Sequence, residues 1–236
     1  MKKRVILIAI ALLLCACGLG AVRGSGKLVT ESREVMDFDR VSLGGSGKVI
    51  LIQGETESLT IETDRNVMRY VTSEVRDGTL VLGTKSGVMV SPTRLRFTVS
   101  VKDLAGLTTS GSGDIVVERV DADRLEIKVS GSGQVRIDAL TAKEVAVRIS
   151  GSGDVELAGE VTEQEVTISG SGKYRGGDLR SETVALTISG SGDATLWTTE
   201  SLDARLTGSG SASYYGNPRT DVSSSGSGKV KGLGDK

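Results

Sequence analysis

From about residue 33 onward, apolar and polar side chains alternate with a period of two. The clearest stretch lies between residues 114 and 215, where the alternating places hold Ile115 and Val117, Val135 and Ile137, Val155 and Leu157, Tyr174 and Gly176, Ala194 and Leu196, and Ala212 and Tyr214. A second series reads Leu125, Ile127 and Val129, then Val145, Val147 and Ile149, Val184, Leu186 and Ile188, and Leu202, Ala204 and Leu206. Alternation rich in β-branched residues predicts half-buried strands, and the three- and four-residue spacing of a helix is missing.

Between the two series stands a recurring tetrapeptide: Ser110–Gly113, Ser130–Gly133, Ser150–Gly153, Ser169–Gly172, Ser189–Gly192, Thr207–Gly210 and Ser225–Gly228, at intervals of 20, 20, 19, 20, 18 and 18 residues. A fixed period of this length marks a solenoid, whose units bury their apolar faces only by stacking. Each unit holds two short strands and a Gly-rich bend, too little chain for a βαβ crossover helix. An all-β parallel β-helix with coils of 18–20 residues follows. With coils about 4.8 Å apart, seven of them make a rod on the order of 30 Å long. Alternation carried through the bend turns the glycines inward and the serines outward. Glycine suits a corner where backbones approach closely.

Residues 35–107 keep the alternation but lose the strict period. Gly45-Ser46-Gly47-Lys48-Val49 is an early copy of the corner, and strands are expected at Val41–Leu43, Val49–Ile52, Leu59–Thr63, Thr79–Leu82 and Arg94–Val101. This part reads as diverged N-terminal coils of a single domain spanning 35–236, with a separate small β domain as the alternative. Coils 108–236 are the regular ones.

The N-terminus is a targeting signal. Met1-Lys2-Lys3-Arg4 is basic, Val5–Leu14 is an apolar run of ten residues, and Leu14-Cys15-Ala16-Cys17 resembles a bacterial lipobox. Such a run is too short to span a bilayer as an ordinary helix. Cleavage after residue 16 makes Cys17 the lipidated N-terminus, with residues 17–34 as a tether to the fold; conventional cleavage to a periplasmic or secreted protein is the alternative. Gly18, where an aspartate favours inner-membrane retention, points to the outer membrane by resemblance to Gram-negative lipoproteins.

Loss of residues 1–16 leaves 26 basic against 30 acidic side chains, a net charge of about −4 with the signs interspersed. That surface does not suit nucleic acid. Both cysteines lie at positions 15 and 17 and histidine is absent, so no disulfide, cysteine metal site or histidine-based triad is expected. The residue after each tetrapeptide runs Asp114, Gln134, Asp154, Lys173, Asp193, Ser211, Lys229, which does not form a regular calcium cage. No metal or cofactor is expected.

The succession Val99-Ser100-Val101-Lys102-Asp103-Leu104-Ala105-Gly106-Leu107, the SGSG-Asp/Lys coils and Tyr214-Tyr215-Gly216-Asn217-Pro218 together resemble the head GIN domain family. The resemblance covers about residues 35–234. It implies a right-handed parallel β-helix on bacterial envelope lipoproteins named as auto-transporter adhesins, and it supplies no catalytic residues.

Three function classes follow. A polysaccharide-active enzyme needs clustered carboxylates in a groove built by long loops, and coils of 18–20 residues leave no room for them. A binding module would use exposed aromatic planes, which are scarce at 3% of the chain. Trp197 and Tyr215 each stand five residues past the last glycine of their tetrapeptides, and so fall on adjacent coils facing outward. They form either a platform for a sugar ring or a cross-strand packing pair. The third class is an assembly lipoprotein whose rod docks an envelope protein. A non-enzymatic adhesin-like binding role is the leading expectation, with assembly second and an enzyme last.

Overall fold

The computed structural model describes residues 21–236, so the signal peptide and Cys17 lie outside the described residues. The N-terminal third contains β1 (Val22–Arg23), β2 (Leu28–Arg33), β3 (Arg40–Leu43), β4 (Lys48–Gln53) and β5 (Ser58–Asp64). A single 3-10 turn, Met68–Tyr70, leads to β6 (Val71–Arg76), β7 (Thr79–Thr84), β8 (Val90–Ser91), β9 (Leu95–Val101) and β10 (Gly106–Thr109). Five long strands follow: β11 (Asp114–Val129), β12 (Gln134–Ile149), β13 (Asp154–Ile168), β14 (Lys173–Ile188) and β15 (Asp193–Gly208). The chain closes with β16 (Ser211–Tyr215), β17 (Arg219–Gly226) and β18 (Val230–Gly232).

The molecule is an all-β solenoid of parallel stacked coils, as the repeat predicts. Each long strand runs from one corner to the next and pairs with the coils on both sides, with register shifts near the middle from β12 onward. The two expected strands per coil are therefore continuous.

Several internal columns carry the core, and two of them show the plan. One stacks Phe97, Val49, Ile115, Val135, Val155, Tyr174, Ala194, Ala212 and Val230 in register. The other stacks Leu80, Val41, Leu107, Ile127, Val147, Val166, Leu186, Ala204 and Val222. Nearly all of these side chains are buried in one continuous cluster. Burying a Val, Leu, Ile or Phe side chain contributes about 1.5–3 kcal/mol, so stacking is the main source of stability.

At the corners the serines face water and the glycines face inward, as alternation predicts. Gly131 shows why glycine is needed. A Cβ there would lie 1.9 Å from the carbonyl oxygen of Gly111, the same oxygen that accepts the Ser132 amide at 2.9 Å. The aspartates after the corners also have structural duties. Asp114, Asp154 and Asp193 accept the backbone N–H of Gln134, Lys173 and Ser211 on the next coil.

The N-terminal third, apart from the separate two-stranded pair of β1 and β8, belongs to the same 16-stranded sheet. Its order in space differs from its order in sequence. The coil made by β3 and β4 is second in the stack, and β7 and β9 lie outside it. Beyond them the parallel pattern stops, because β5 runs antiparallel to β9, β2 antiparallel to β5, and β6 antiparallel to β7. These strands close that end of the rod.

Leu28–Arg33, expected within the tether, is thus strand β2 of the cap. Asp64 fastens the preceding residues: its carboxylate accepts the amides of Gly26 (2.6 Å) and Thr93 (2.7 Å) and the Thr93 hydroxyl (3.1 Å). Among the described residues the opposite end has no such closure. Strand β17 pairs only with β15, is exposed along its whole length, and carries Thr220, Val222 and Ser224 where the previous coil has Leu202, Ala204 and Leu206.

Candidate functional site

Trp197 and Tyr215 are register partners on β15 and β16, so the count from the corner glycines placed them correctly on adjacent coils. Both are half-buried. Around them the solenoid departs from its regular plan.

The departure is largest in β14, after one-residue register shifts between β12 and β13 and between β13 and β14. Its register against β15 passes from Arg175–Thr195 directly to Arg180–Trp197, so Gly176–Leu179 bulge out opposite the single residue Leu196. The bulge depends on its two glycines. A Cβ at Gly176 would meet the Tyr174 ring at 2.5 Å, and one at Gly177 would stand 3.1 Å from the Thr195 methyl and 3.4 Å from the Tyr215 ring. The bulge therefore folds over Tyr174 on the inside and rests against Tyr215 on the outside. It turns the Gly177 carbonyl and the Asp178 carboxylate toward the aromatic pair.

A chain of buried polar groups supports this arrangement from within. The Tyr174 phenol donates to Gln164 Oε1 (2.7 Å), Gln164 Nε2 donates to Ser181 Oγ (2.8 Å), and Ser181 Oγ donates to the Trp197 carbonyl (2.7 Å). Thr198 Oγ1 donates to the Glu182 carbonyl at 2.9 Å. Tyr174, Gln164, Ser181 and Thr198 are all buried, and every buried side-chain polar atom among the described residues has a partner. Burial pushes the Tyr174 phenol far above its ordinary range, so it remains a donor wherever the protein is folded. Fully satisfied networks of this kind fix local geometry, because loosening any member leaves a buried group unpaired.

Lys236 completes the site. Its ammonium stands 5.3 Å from the Trp197 ring centroid and 5.3 Å from that of Tyr215, within the reach of a cation–π attraction. It donates to the Gly177 carbonyl at 2.6 Å and forms an ion pair with Asp178. The segment leading to it is held by backbone bonds from Leu233 to Tyr214 and from Gly216 to Gly234. The resulting shallow hollow, about 280 Å³, is lined by Glu156, Arg175, Gly177, Asp178, Thr195, Tyr215 and Lys236.

Larger depressions occur elsewhere. One of about 420 Å³ lies over Ala146 and Ala185 between outward strand positions, and one of about 560 Å³ lies between the Gly44–Gly45 corner and the β6–β7 hairpin. Neither gathers aromatic planes. Most acidic side chains are engaged in surface pairs, such as Arg124–Glu144 and Arg136–Glu156, or cap the next coil. Among the described residues no group of three or more candidate metal ligands comes together, and no helix is long and apolar enough to cross a membrane.

Sequence reasoning found Trp197 and Tyr215 but missed the bulge, Asp178 and Lys236. A signal was present in the column Leu125, Val145, Gln164, Val184 and Leu202, where glutamine interrupts an apolar series.

Residues 37–218 match the protein family described as "Putative auto-transporter adhesin, head GIN domain". Among solved structures, a putative adhesin from Bacteroides fragilis is 30% identical, with a TM-score of 0.87 over 90% of this chain and 100% of the other. A putative adhesin from Parabacteroides merdae is 25% identical, with a TM-score of 0.75 over 90% and 99%. A putative lipid binding protein from Parabacteroides distasonis shares the fold at 24% identity, with a TM-score of 0.76 over 90% and 99%. A comparison with curated proteins finds no match.

Proposed function

The chain belongs to the head GIN domain family of putative auto-transporter adhesins, and from that membership we propose that it is a non-enzymatic adhesin of the bacterial cell envelope. In this reading Cys17 carries the lipid that holds the protein at the outer membrane, and the rod presents its flank around Trp197 and Tyr215 to a ligand. The ligand is a glycan or an envelope protein.

The observation that carries the reading is the concentration of irregular features at one place. The chain has one tryptophan and four tyrosines. Trp197 and Tyr215 are neighbours there, beneath the bulge in β14 and above a buried polar chain. The register shift between β12 and β13, by contrast, is of a single residue and lies beside no aromatic pair. Half-buried aromatic rings beside hydrogen-bonding groups suit recognition, since they supply contact area at little cost in side-chain entropy.

The test joins location to binding. Intact cells producing the full chain are fractionated and shaved with protease, and the purified protein is applied to glycan arrays and to solubilised envelope proteins. The expected result is membrane fractionation that is lost in Cys17→Ser, together with a ligand whose binding drops at least tenfold in Trp197→Ala. A soluble protein with Cys17 intact would refute the anchor. Binding unchanged in Trp197→Ala would refute the contact surface.

A further inference from the structure

The Lys236 ammonium forms one wall of the hollow and stands over the Trp197 and Tyr215 rings, and its partners define what that position selects. The two rings present their faces at equal distance, 5.3 Å. The Gly177 carbonyl and the Asp178 carboxylate both accept hydrogen bonds from the same nitrogen. The rings alone would hold any organic cation, as aromatic cages hold quaternary ammonium groups. The two acceptors require N–H donors, which a primary ammonium has and a trimethylammonium lacks.

The charges around the hollow agree. Arg175 is drawn to Asp154 at 2.9 Å, and Glu156 is shared with Arg136 at 3.4 Å. Asp178 has Lys236 as its ion-pair partner. Withdrawal of the Lys236 side chain opens the hollow into the place its ammonium held, leaving Glu156 and Asp178 against Arg175, a net negative charge beside Tyr215 in the lining and its register partner Trp197.

We propose that this hollow is a binding site for the lysine side chain of a partner polypeptide, which Lys236 fills in cis until it is displaced. The proposal rests on the reading that this flank is the contact surface. A lysine is favoured as the occupant because a lysine is what the site holds, delivered by an extended segment pinned through backbone bonds at Leu233 and Gly234. A partner strand that displaced β18 from the edge of β16 would reproduce that delivery. The cis side chain competes at a local concentration in the millimolar range, as short tethers do, so its removal unmasks the site.

The chain's single tryptophan is part of the site and reports directly on it. The experiment titrates the full chain, wild type and Lys236→Ala, with Nα-acetyl-lysine amide while following Trp197 fluorescence. Lys236→Ala should bind saturably, in roughly the millimolar range expected of a single small group, and at least fivefold more tightly than wild type. Nε-acetylated and Nε-trimethylated forms of the probe should bind at least fivefold more weakly, and Asp178→Asn on the Lys236→Ala background should abolish saturation.

A flat titration of Lys236→Ala would overturn the proposal, as would equal binding of the Nε-acetylated form. Tighter binding of glucosamine than of the lysine probe would also overturn it, assigning the site to an amino sugar. Trp197-dependent binding to arrays or envelope proteins beside a flat lysine titration would leave the adhesin reading standing and remove the lysine assignment alone.

Discussion

The hydrogen bond between Tyr174 and Gln164 makes a sharp prediction, because each side chain is the other's main reason for being polar. The phenol donates to Gln164 Oε1 at 2.7 Å at the inner end of the buried polar chain. Tyr174→Phe leaves the amide oxygen without that donor, and Gln164→Leu leaves the phenol without an acceptor. Each orphaned buried group costs about 1–3 kcal/mol, whereas removing both partners together can approach neutrality. Simple addition would therefore give about 2–6 kcal/mol for the double variant. The structure predicts about 1–2 kcal/mol instead, the remainder reflecting lost packing where the hydroxyl was. The assay is urea unfolding of the four proteins, followed by Trp197 fluorescence and circular dichroism with slopes compared before free energies are subtracted. A coupling of at least about 1 kcal/mol is expected. Costs that add to within about 0.5 kcal/mol, the behaviour of independent sites, would refute the account of the buried chain.

Two further predictions concern the ends and the corners. Gly131→Ala should destabilise by about 2–5 kcal/mol, from overpacking and the weakening of the Ser132 and Gly133 bonds to the Gly111 carbonyl, each worth about 1 kcal/mol. Gly45→Ala, at a φ of +85° with open space around it, should cost about 1–2 kcal/mol from backbone strain alone; equal costs in chemical denaturation would contradict the blocked-corner explanation. The Asp64 carboxyl is raised by its removal from water, but the Thr93 and Gly26 amides and the Thr93 hydroxyl outweigh this and hold it below the usual carboxylate range. Its contribution is therefore fully present above the pKa of an unfolded aspartate, about 3.9, and is lost as pH falls through the lower folded value. Corrected for the intrinsic pH dependence of amide exchange, protection in residues 24–33 should fall through that window in the wild type, and in Asp64→Asn it should be low and nearly constant there; identical protection profiles would remove Asp64 from the cap.

The regular coils were legible because their information is carried by side chains. Every second residue of Ile115–Val117 or Val145–Ile149 must fit the same column, and the corner glycines recur where Cβ atoms have no room. The same count located Trp197 and Tyr215. The N-terminal cap was not legible, because antiparallel pairing of Leu28–Arg33 with β5 is made by backbone groups, and Thr30, Glu31 and Ser32 look like a solvated tether. Nor could alternation show that β3 and β4 form the second coil, since inward-facing residues read alike in any stacking order. The bulge and Lys236 were missed for a different reason. Gly176 and Gly177 erase the alternation locally, and a contact between Lys236 and Asp178, 58 residues apart in sequence, leaves no periodic trace.

The unequal ends of the rod also limit how its length can change. Antiparallel strands β2 and β6 close one end, so another parallel coil cannot join there in register. A unit of 19 or 20 residues inserted between Gly133 and Ser150 would meet a matching corner above and below, and all its inward positions would find existing columns. Length in this architecture is thus quantised at about 4.8 Å per inserted unit. Insertions of that kind would carry the Trp197 flank farther from the cap, one step at a time, while leaving the hollow itself unaltered.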